Sequence, residues 1–437
     1  MGFTLKPVRV GICGFGTVGG GTFNVLQRNC DEIIRRTGRA IVVEHIAQRR
    51  PNVNCDTGDT AITDDIFAVA NNPNVDVLVE LIGGHQPAKE LVLTAISNGK
   101  HVVTANKALI AVHGNEIFEA ARKHNVVVAY EAAIAGGIPI VKALREGLAA
   151  NSINWLAGII NGTGNFILTE MRDKGRAFAD VLKEAQELGY AEADPTFDVE
   201  GIDAAHKLTI LSSVAFGIPL QFDHCYTEGI SKVSAEDVAN AESLGYRIKH
   251  LGLTRRTEAG VELRVHPTMI PEKCLIANVH GVMNAVLVEG NAVGPTMYYG
   301  AGAGAEPTAS AIVADLVDVV RDMAVDQNVR MPSLAFQQDA MSDSPILPMD
   351  KVVTAFYMRM MVSEKPGVLA QITQILGDAG ISIEAIRQQT HESLQVPVII
   401  LTRPVQEGHM NNAIAAIEAL TDVHGEVNRI RVENLDS

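Results

Sequence analysis

Through the first 130 residues, short apolar runs alternate with amphipathic stretches. VRVGICGFG (8–16), IVVEHIAQ (41–48), VDVLVELIG (75–83), KHVVTANK (100–107) and NVVVAYEA (125–132) read as strands, and the segments near 19–36, 87–98 and 113–124 carry the spacing of helices. Such alternation predicts a parallel sheet covered by helices. Beyond residue 140 the rhythm changes: a helix is predicted at 177–188, then an acidic segment, then a second helix at 201–217, with strands at RVHPTMI (264–270) and NAVLVEG (284–290). This is the pattern of a second lobe. The run GAGAGAEPTASAIVADLVDVVRDM (300–323) opens on glycines, continues as about five helical turns, and is expected to return to the first lobe.

Residues 326–350, DQNVRMPSLAFQQDAMSDSPILPMD, are polar and Pro-bearing without a period, the texture of a flexible linker. A separate small pattern follows. AFYMRMMV (355–362) is a strand, KPG (365–367) a turn, VLAQITQILGDAG (368–380) a helix, ISIEAIRQ (381–388) and VPVIILTR (396–403) strands, and MNNAIAAIEALTDV (410–423) a second helix. With a last strand near 427–433 the order becomes β-α-β-β-α-β, that of a ferredoxin-like module.

Composition narrows the function classes. A formal net charge of −15 argues against binding a phosphate backbone, which needs a basic surface, so no nucleic-acid partner is expected. The five cysteines (Cys13, Cys30, Cys55, Cys225, Cys274) are scattered, with no C-x-x-C and no zinc spacing, which suits a reducing compartment. No 18 uncharged apolar residues run together and the chain enters a strand almost at once, so no membrane role is expected and a cytoplasmic location is.

Candidate chemistry begins at Gly14-Phe15-Gly16-Thr17-Val18-Gly19, which follows a strand and opens a helix. That context makes it a dinucleotide-binding fingerprint, with glycines allowing close backbone approach and a helix N-terminus facing the pyrophosphate. Where an NAD site usually carries an acid at the end of the second strand, this chain has Ala47-Gln48-Arg49-Arg50. Two guanidinium groups suit a 2′-phosphate, which favours NADP and leaves NAD as the alternative; a solvated arginine pair is the plainer reading. Lys107, in Thr104-Ala105-Asn106-Lys107, closes a strand on the ligand-binding edge of the sheet, where it could reach cofactor and substrate or simply face solvent.

The segment GYAEADPTFDVEGIDAAHKL (189–208) sets Glu192, Asp194, Asp198, Glu200 and Asp203 before Lys207. Asp203 and Lys207 are spaced i, i+4, the signature of an ordinary surface ion pair. The helix continues as LTILSSVAF, however, apolar enough to be buried, and buried charges persist only when paired. An acidic pocket around an ammonium would serve a small amino-acid substrate, the lysine exchanging a proton with a substrate oxygen. Glu131–Pro139, EAAIAGGIP, reads as a loop needing positive φ, with a carbonyl cradle for a hard cation as the alternative.

Taken together, GFGTVG (14–19), TANK (104–107), EAAIAGGIP (131–139), NGTGNFIL (161–168), the acidic block (189–208) and GAGAGAEPTASAIVADL (300–316) resemble the homoserine dehydrogenases that carry a C-terminal ACT domain, over most of the chain. In VSEKPGVLAQITQILGDAGISIEAI (362–386), Glu364, Pro366 and Gly367 match the ACT marker. The resemblance implies an α/β fold with an N-terminal Rossmann-type domain (1–135, completed by about 305–330), an α/β catalytic and dimerisation domain (136–304), a linker (331–350) and a ferredoxin-like ACT regulatory domain (351–437). It implies reversible, NAD(P)H-dependent reduction of L-aspartate 4-semialdehyde to L-homoserine, in threonine, methionine and isoleucine biosynthesis. Lys207 corresponds to the proton donor and Lys107 to the second active-site lysine; Glu192, Asp198 and Asp203 match substrate-binding acids. Phe15, Gly16, Thr17, Val18, Lys107, Gly189 and Gly304 correspond to cofactor contacts. Glu131, Ile134, Gly136 and Ile138 match ligands of a monovalent cation, sodium first. L-Threonine is the implied effector of the ACT domain, and a homodimer or homotetramer the implied assembly. The competing readings are a non-catalytic dinucleotide sensor and a reductase of another small amino aldehyde.

Overall fold

The computed structural model describes residues 5–326, 329–388 and 394–435. Its first sheet holds β1 (Val8–Cys13), β2 (Ile41–Ala47), β3 (Ala61–Thr63), β4 (Val77–Glu80), β5 (His101–Thr104) and β6 (Val128–Ala129). All pair in parallel, in the order β3-β2-β1-β4-β5-β6. Strand order therefore reverses between β1 and β4, and ligands of such sheets bind beyond the carboxyl ends at that point. The covering helices are α1 (Thr17–Arg28), α2 (Cys30–Thr37), α3 (Ile66–Asn71), α4 (Ala88–Ser97) and α5 (Lys107–Lys123). The single helix expected near 19–36 is two, broken at Asn29, and the one expected at 113–124 begins six residues earlier, where Asn106 caps Leu109 N–H at 3.1 Å. β3 and α3 escaped the sequence reading because a three-residue, partly exposed edge strand and a six-residue helix are too short to show a period.

The second lobe runs through α6 (Ile140–Lys142), β7 (Ile153–Ile159), α7 (Gly162–Lys174), α8 (Phe178–Glu187), α9 (Thr196–Val199), α10 (Ile202–Phe216), β8 (Tyr226–Thr227), α11 (Ala235–Ser243), β9 (Tyr246–Thr257), β10 (Gly260–Pro271), β11 (Met283–Gly290) and β12 (Gly294–Ala301). Then α12 (Ala305–Asp322) returns to the first lobe, as its pattern predicted. Its Ile312, Leu316 and Val319 share a core with Val10 and Ile12 of β1 and Val79 of β4. Gly21 of α1 lies so close to Ala305 that a Cβ there would stand 2.8 Å from the Ala305 carbonyl oxygen.

The C-terminal module follows the expected order: β13 (Val353–Ser363), α13 (Val368–Asp378), β14 (Ile383–Gln388), β15 (Gln395–Thr402), then after a two-residue β16 (Val405–Gln406), α14 (Glu407–Glu418) and β17 (Val423–Val432). It is not a detached unit. A single sheet runs β12-β11-β7-β9-β10-β17-β13-β15-β14, with β17 pairing in parallel with β10 at Thr268–Arg431 and Met269–Val432. Ion pairs of three buried arginines cross the same seam: Arg264–Glu433 at 2.6 Å, Arg431–Glu228 at 2.8 Å and Arg359–Asp237 at 2.6 Å. The stretch read as a flexible linker has little regular structure but is docked. Ser342 N–H donates to Gly217 O (2.7 Å), Val261 N–H to Pro345 O (2.9 Å) and Leu347 N–H to Val261 O (2.8 Å), while Leu334, Met341 and Ile346 belong to or pack on a core drawn from both lobes. Those apolar residues, spaced among polar ones without a period, tie the segment down. Among the described residues no helix is long and apolar enough to cross a membrane.

Candidate active site

At the carboxyl end of β1 the three fingerprint glycines do different work. Gly14 holds φ +98°, and a Cβ there would lie 2.5 Å from Leu81 O; at Gly19 one would lie 2.3 Å from Gly14 O. Gly16, by contrast, faces open space. The first sets the turn, the last lets α1 pack under it, and the middle one leaves room for a ligand against the backbone. No side chain caps α1, so its first N–H groups, beginning at Thr17, are left without a side-chain partner. That cleft, about 500 Å³, is lined by Gly14, Phe15, Gly16, Arg49, Arg50 and Leu81 among others. Arg49 and Arg50 are exposed and make no ion pair among the described residues. The wall also holds Asp64, an acid the sequence reading did not see because it follows β3. A second recess of about 410 Å³ joins Thr17, Arg50 and Asn52 to Ala305, just after Gly304 (φ +120°). Gly189 sits in an exposed turn after α8, with φ +75°, and is not among the residues that line either recess.

The lysine of the acidic block is buried. Gly201, at φ +84°, starts α10, and a Cβ there would lie 3.0 Å from the His250 ring. Asp203 stands in the first turn of α10, where the helix dipole favours a carboxylate, and Lys207 lies one turn on. Lys207 Nζ donates to Asp203 Oδ2 and to Ile160 O, both at 2.7 Å. An ammonium has three N–H groups, so one is left for a ligand. Lys107 approaches the other oxygen, Asp203 Oδ1, at 3.0 Å; its side chain is 34% exposed against 11% for Lys207, so Lys107 forms the mouth and Lys207 the floor. Asn161, which caps α7, donates from Nδ2 to Asp198 Oδ1 (2.7 Å) and Asp203 Oδ2 (2.8 Å). The structure thus brings together Lys107, Lys207, Asp198 and Asp203, and leaves Glu192 exposed on the rim, where its carboxylate acts on Lys107 only through space.

Electrostatics separates the two lysines. Burial, aided by the Lys107 charge, drives Lys207 below the ordinary lysine range despite the opposing Asp203 carboxylate. At Lys107 burial also disfavours the charge, but Asp203, Asp198 and Glu192 outweigh it and hold the ammonium charged. Burial would raise Asp203; the two ammonium groups and Asn161 instead keep it well below the usual carboxylate range. Asp198 is raised, chiefly by burial, against the Asn161 hydrogen bond. Around this group lie residues the sequence reading missed: Asn161, inside NGTGNFIL, and an aromatic wall in which His206 stacks on Phe222 at 4.2 Å and Phe197 lies under Lys107 Nζ at 5.9 Å. An N-cap asparagine was the one available signal; ring stacking across α9, α10 and the 222 turn leaves none in one dimension.

The loop 131–138 takes the positive φ expected of it, at Ala135 (+51°) and Gly136 (+41°). Glu131 spends its carboxylate capping the next helix, accepting from Val141 N–H (2.9 Å) and Lys142 N–H (2.8 Å), and its own N–H donates to Asp315 Oδ2 (2.9 Å). Burial pushes Glu131 up to about 7 against those hydrogen bonds. The carbonyls of Glu131 and Ile138 accept from Ile134 N–H and Ile140 N–H. Any cation held by Glu131, Ile134, Gly136 and Ile138 would meet backbone oxygens. Among the described residues no group of three or more His, Cys, Asp or Glu could hold a metal ion.

Comparison with known proteins extends over nearly the whole chain. Residues 14–131 match the family described as homoserine dehydrogenase, NAD binding domain, residues 139–317 the family homoserine dehydrogenase, and residues 357–421 the ACT domain. The chain is 68% identical over 434 residues to a homoserine dehydrogenase of Pseudomonas aeruginosa, covering 99% of this chain and 100% of that one. It is similar to the crystal structure of a homoserine dehydrogenase from Thiobacillus denitrificans, with TM-score 0.95, 63% identity and 99% of each chain covered. A hyperthermophilic archaeal homoserine dehydrogenase in complex with NADPH matches with TM-score 0.62 at 26% identity, over 73% of this chain and 98% of that one. With its Rossmann-type first sheet, its lysine-bearing second lobe and its C-terminal ACT domain, the chain belongs to the homoserine dehydrogenase family of NAD(P)-dependent oxidoreductases.

Proposed function

We propose that the protein interconverts L-homoserine and L-aspartate 4-semialdehyde with NADP as the preferred dinucleotide, and that Lys207 is the proton donor. The observation that carries this reading is the buried Lys207 ammonium, fixed by Asp203 and Ile160 O with one N–H uncommitted. The nicotinamide of a bound dinucleotide supplies or accepts the hydride. In the reducing direction the aldehyde oxygen gains negative charge as hydride reaches its carbon; Lys207 gives that oxygen a proton and becomes neutral, while Lys107 stays charged and stabilises the oxygen. In the oxidising direction neutral Lys207 takes the hydroxyl proton. Burial, by lowering the Lys207 pKa, eases release of the proton in the reducing direction. Asp203 orients the two lysines, and Asp198 and Glu192 receive the substrate α-ammonium.

Gly14, Phe15, Gly16, Thr17, Val18 and Gly19 fit the pyrophosphate, because the space over Gly16 is open. Arg49 and Arg50 are assigned to the 2′-phosphate, and Lys107, Gly189 and Gly304 to the rest of the dinucleotide; the NADPH bound by the archaeal relative supports this choice. The carbonyl-rich loop of Glu131, Ile134, Gly136 and Ile138 is assigned to a monovalent cation, sodium. The ACT domain is assigned L-threonine as effector, and the protein a cytoplasmic location and a homodimeric or homotetrameric state. The test is the initial rate of NADPH formation from L-homoserine and NADP+, with L-threonine in parallel samples. A homoserine-dependent rate lowered by threonine is expected; folded, NADPH-binding protein without that rate would reject the substrate assignment.

A further inference from the structure

Among the buried carboxylates outside the chemistry described so far, one stands beside the dinucleotide cleft. Glu80, the last residue of β4, is fully buried. Its Oε1 accepts from Ile82 N–H (2.8 Å) and Gly83 N–H (3.1 Å), and its Oε2 accepts from Thr104 Oγ1 (2.6 Å). Thr104, at the end of β5, accepts in turn from Asn106 N–H (3.0 Å). Asn106 donates from Nδ2 to Gly84 O (2.7 Å) and, through its side-chain oxygen, caps Leu109 N–H. The next residue, Lys107, is the first of α5. One continuous network therefore folds the loop after β4, whose Leu81 and Ile82 line the dinucleotide cleft, onto the turn that delivers Lys107 to Asp203.

We infer that Thr104 and Glu80 are positioning residues for the reaction: the Thr104 hydroxyl locks the turn at Asn106 so that Lys107 Nζ meets Asp203 beside the cofactor wall. The inference rests on the reading of Lys107 as an active-site lysine. A side chain that only filled the core would be replaced without loss by an isostere, and valine has the shape of threonine and suits a strand. A hydroxyl with one acceptor and one donor partner, both buried, is not replaceable in that way.

The test compares Thr104→Val, Thr104→Ser, Lys107→Met and the double variant Thr104→Val with Lys107→Met, each in the full chain and each checked by thermal melting. Readouts are kcat and KM for L-homoserine and KM for NADP. Thr104→Val is expected to lower kcat/KM for homoserine about ten- to a hundredfold, the scale of a misplaced active-site group. Thr104→Ser, which keeps the hydroxyl, should recover most of that loss. In the Lys107→Met background the Thr104→Val effect should shrink to about twofold, since residues acting through one another are not additive. If Thr104→Val matches wild type while Lys107→Met is impaired, the positioning role is overturned and the lysine reading survives. If Lys107→Met itself matches wild type, the lysine reading fails and the positioning role with it. Full additivity in the double variant would also overturn the role.

Discussion

The dinucleotide cleft and the acid–lysine pocket recognise their ligands in opposite ways. The cleft presents backbone: glycines that cannot be larger, uncapped N–H groups at α1, and exposed arginines at its edge. The pocket presents side chains: Asp203 and Lys207 from the buried helix α10 and Lys107 from the start of α5, the two lysines sharing the two oxygens of Asp203. Backbone recognition tolerates solvent because its donors are fixed by the fold, whereas a proton-transferring lysine must be desolvated to bring its pKa toward the working range. The two regions should therefore fail differently, the pocket in kcat and the cleft in KM.

The largest separation is expected at Lys207. Lys207→Ala should lower kcat by about a thousandfold, within the usual range of general acid–base catalysis, with NADPH affinity unchanged within about twofold. Steady-state rates beside NADPH fluorescence titration check both halves, and a loss confined to affinity would erase the distinction. Asp203→Asn should cost about a hundredfold in kcat, because it leaves two lysines without the charge that orients them, and should also leave NADPH binding in place. On the other side, Arg49→Ala with Arg50→Ala should raise the KM for NADP about ten- to a hundredfold, the worth of charge-assisted hydrogen bonds, and change that for NAD little. Equal effects on both dinucleotides would transfer the ribose to Asp64. The smallest effect on chemistry belongs to the C-terminal module. Removing residues 351–437 strips β10 of its β17 neighbour and leaves Asp237 and Glu228 without Arg359 and Arg431, so thermal melting should fall by about 5 °C or more. An unchanged melting temperature would mean that the continuous sheet contributes nothing to stability.

How far each region could be read from the chain follows from the same contrast. The cleft is local: Gly14, Gly16 and Gly19 are fixed by spacing along one strand, turn and helix, and each falls where that spacing puts it. The pocket is half local. Asp203 and Lys207 are neighbours by helical period, but only the burial of α10 separates a working pair from a surface one, and the apolar run after Lys207 was the sole hint of it. Asn161 and Glu80 join the site through hydrogen bonds 24 to 42 residues apart in sequence, Phe222 through ring stacking and Phe197 through the distant Lys107, none of which a local period records. The linker misled for a related reason. Its composition is that of a mobile tether, but Leu334 and Ile346 dock it on a core assembled from distant elements. Likewise the β-α-β-β-α-β order identified the C-terminal module, while the pairing of β17 with β10 depends on an edge that only the assembled second lobe supplies.

The pH dependence of kcat for L-homoserine oxidation, measured for the wild type and for Asp203→Asn, tests the central claim most directly. Oxidation needs Lys207 neutral, so the rate should rise with pH through a midpoint below the ordinary lysine value of 10.5. Asp203 raises the Lys207 pKa in the wild type, so its removal should move the midpoint to lower pH even as the plateau falls. A rate flat across that range, or a midpoint displaced upward in Asp203→Asn, would contradict the assignment of Lys207 as the group that exchanges the proton.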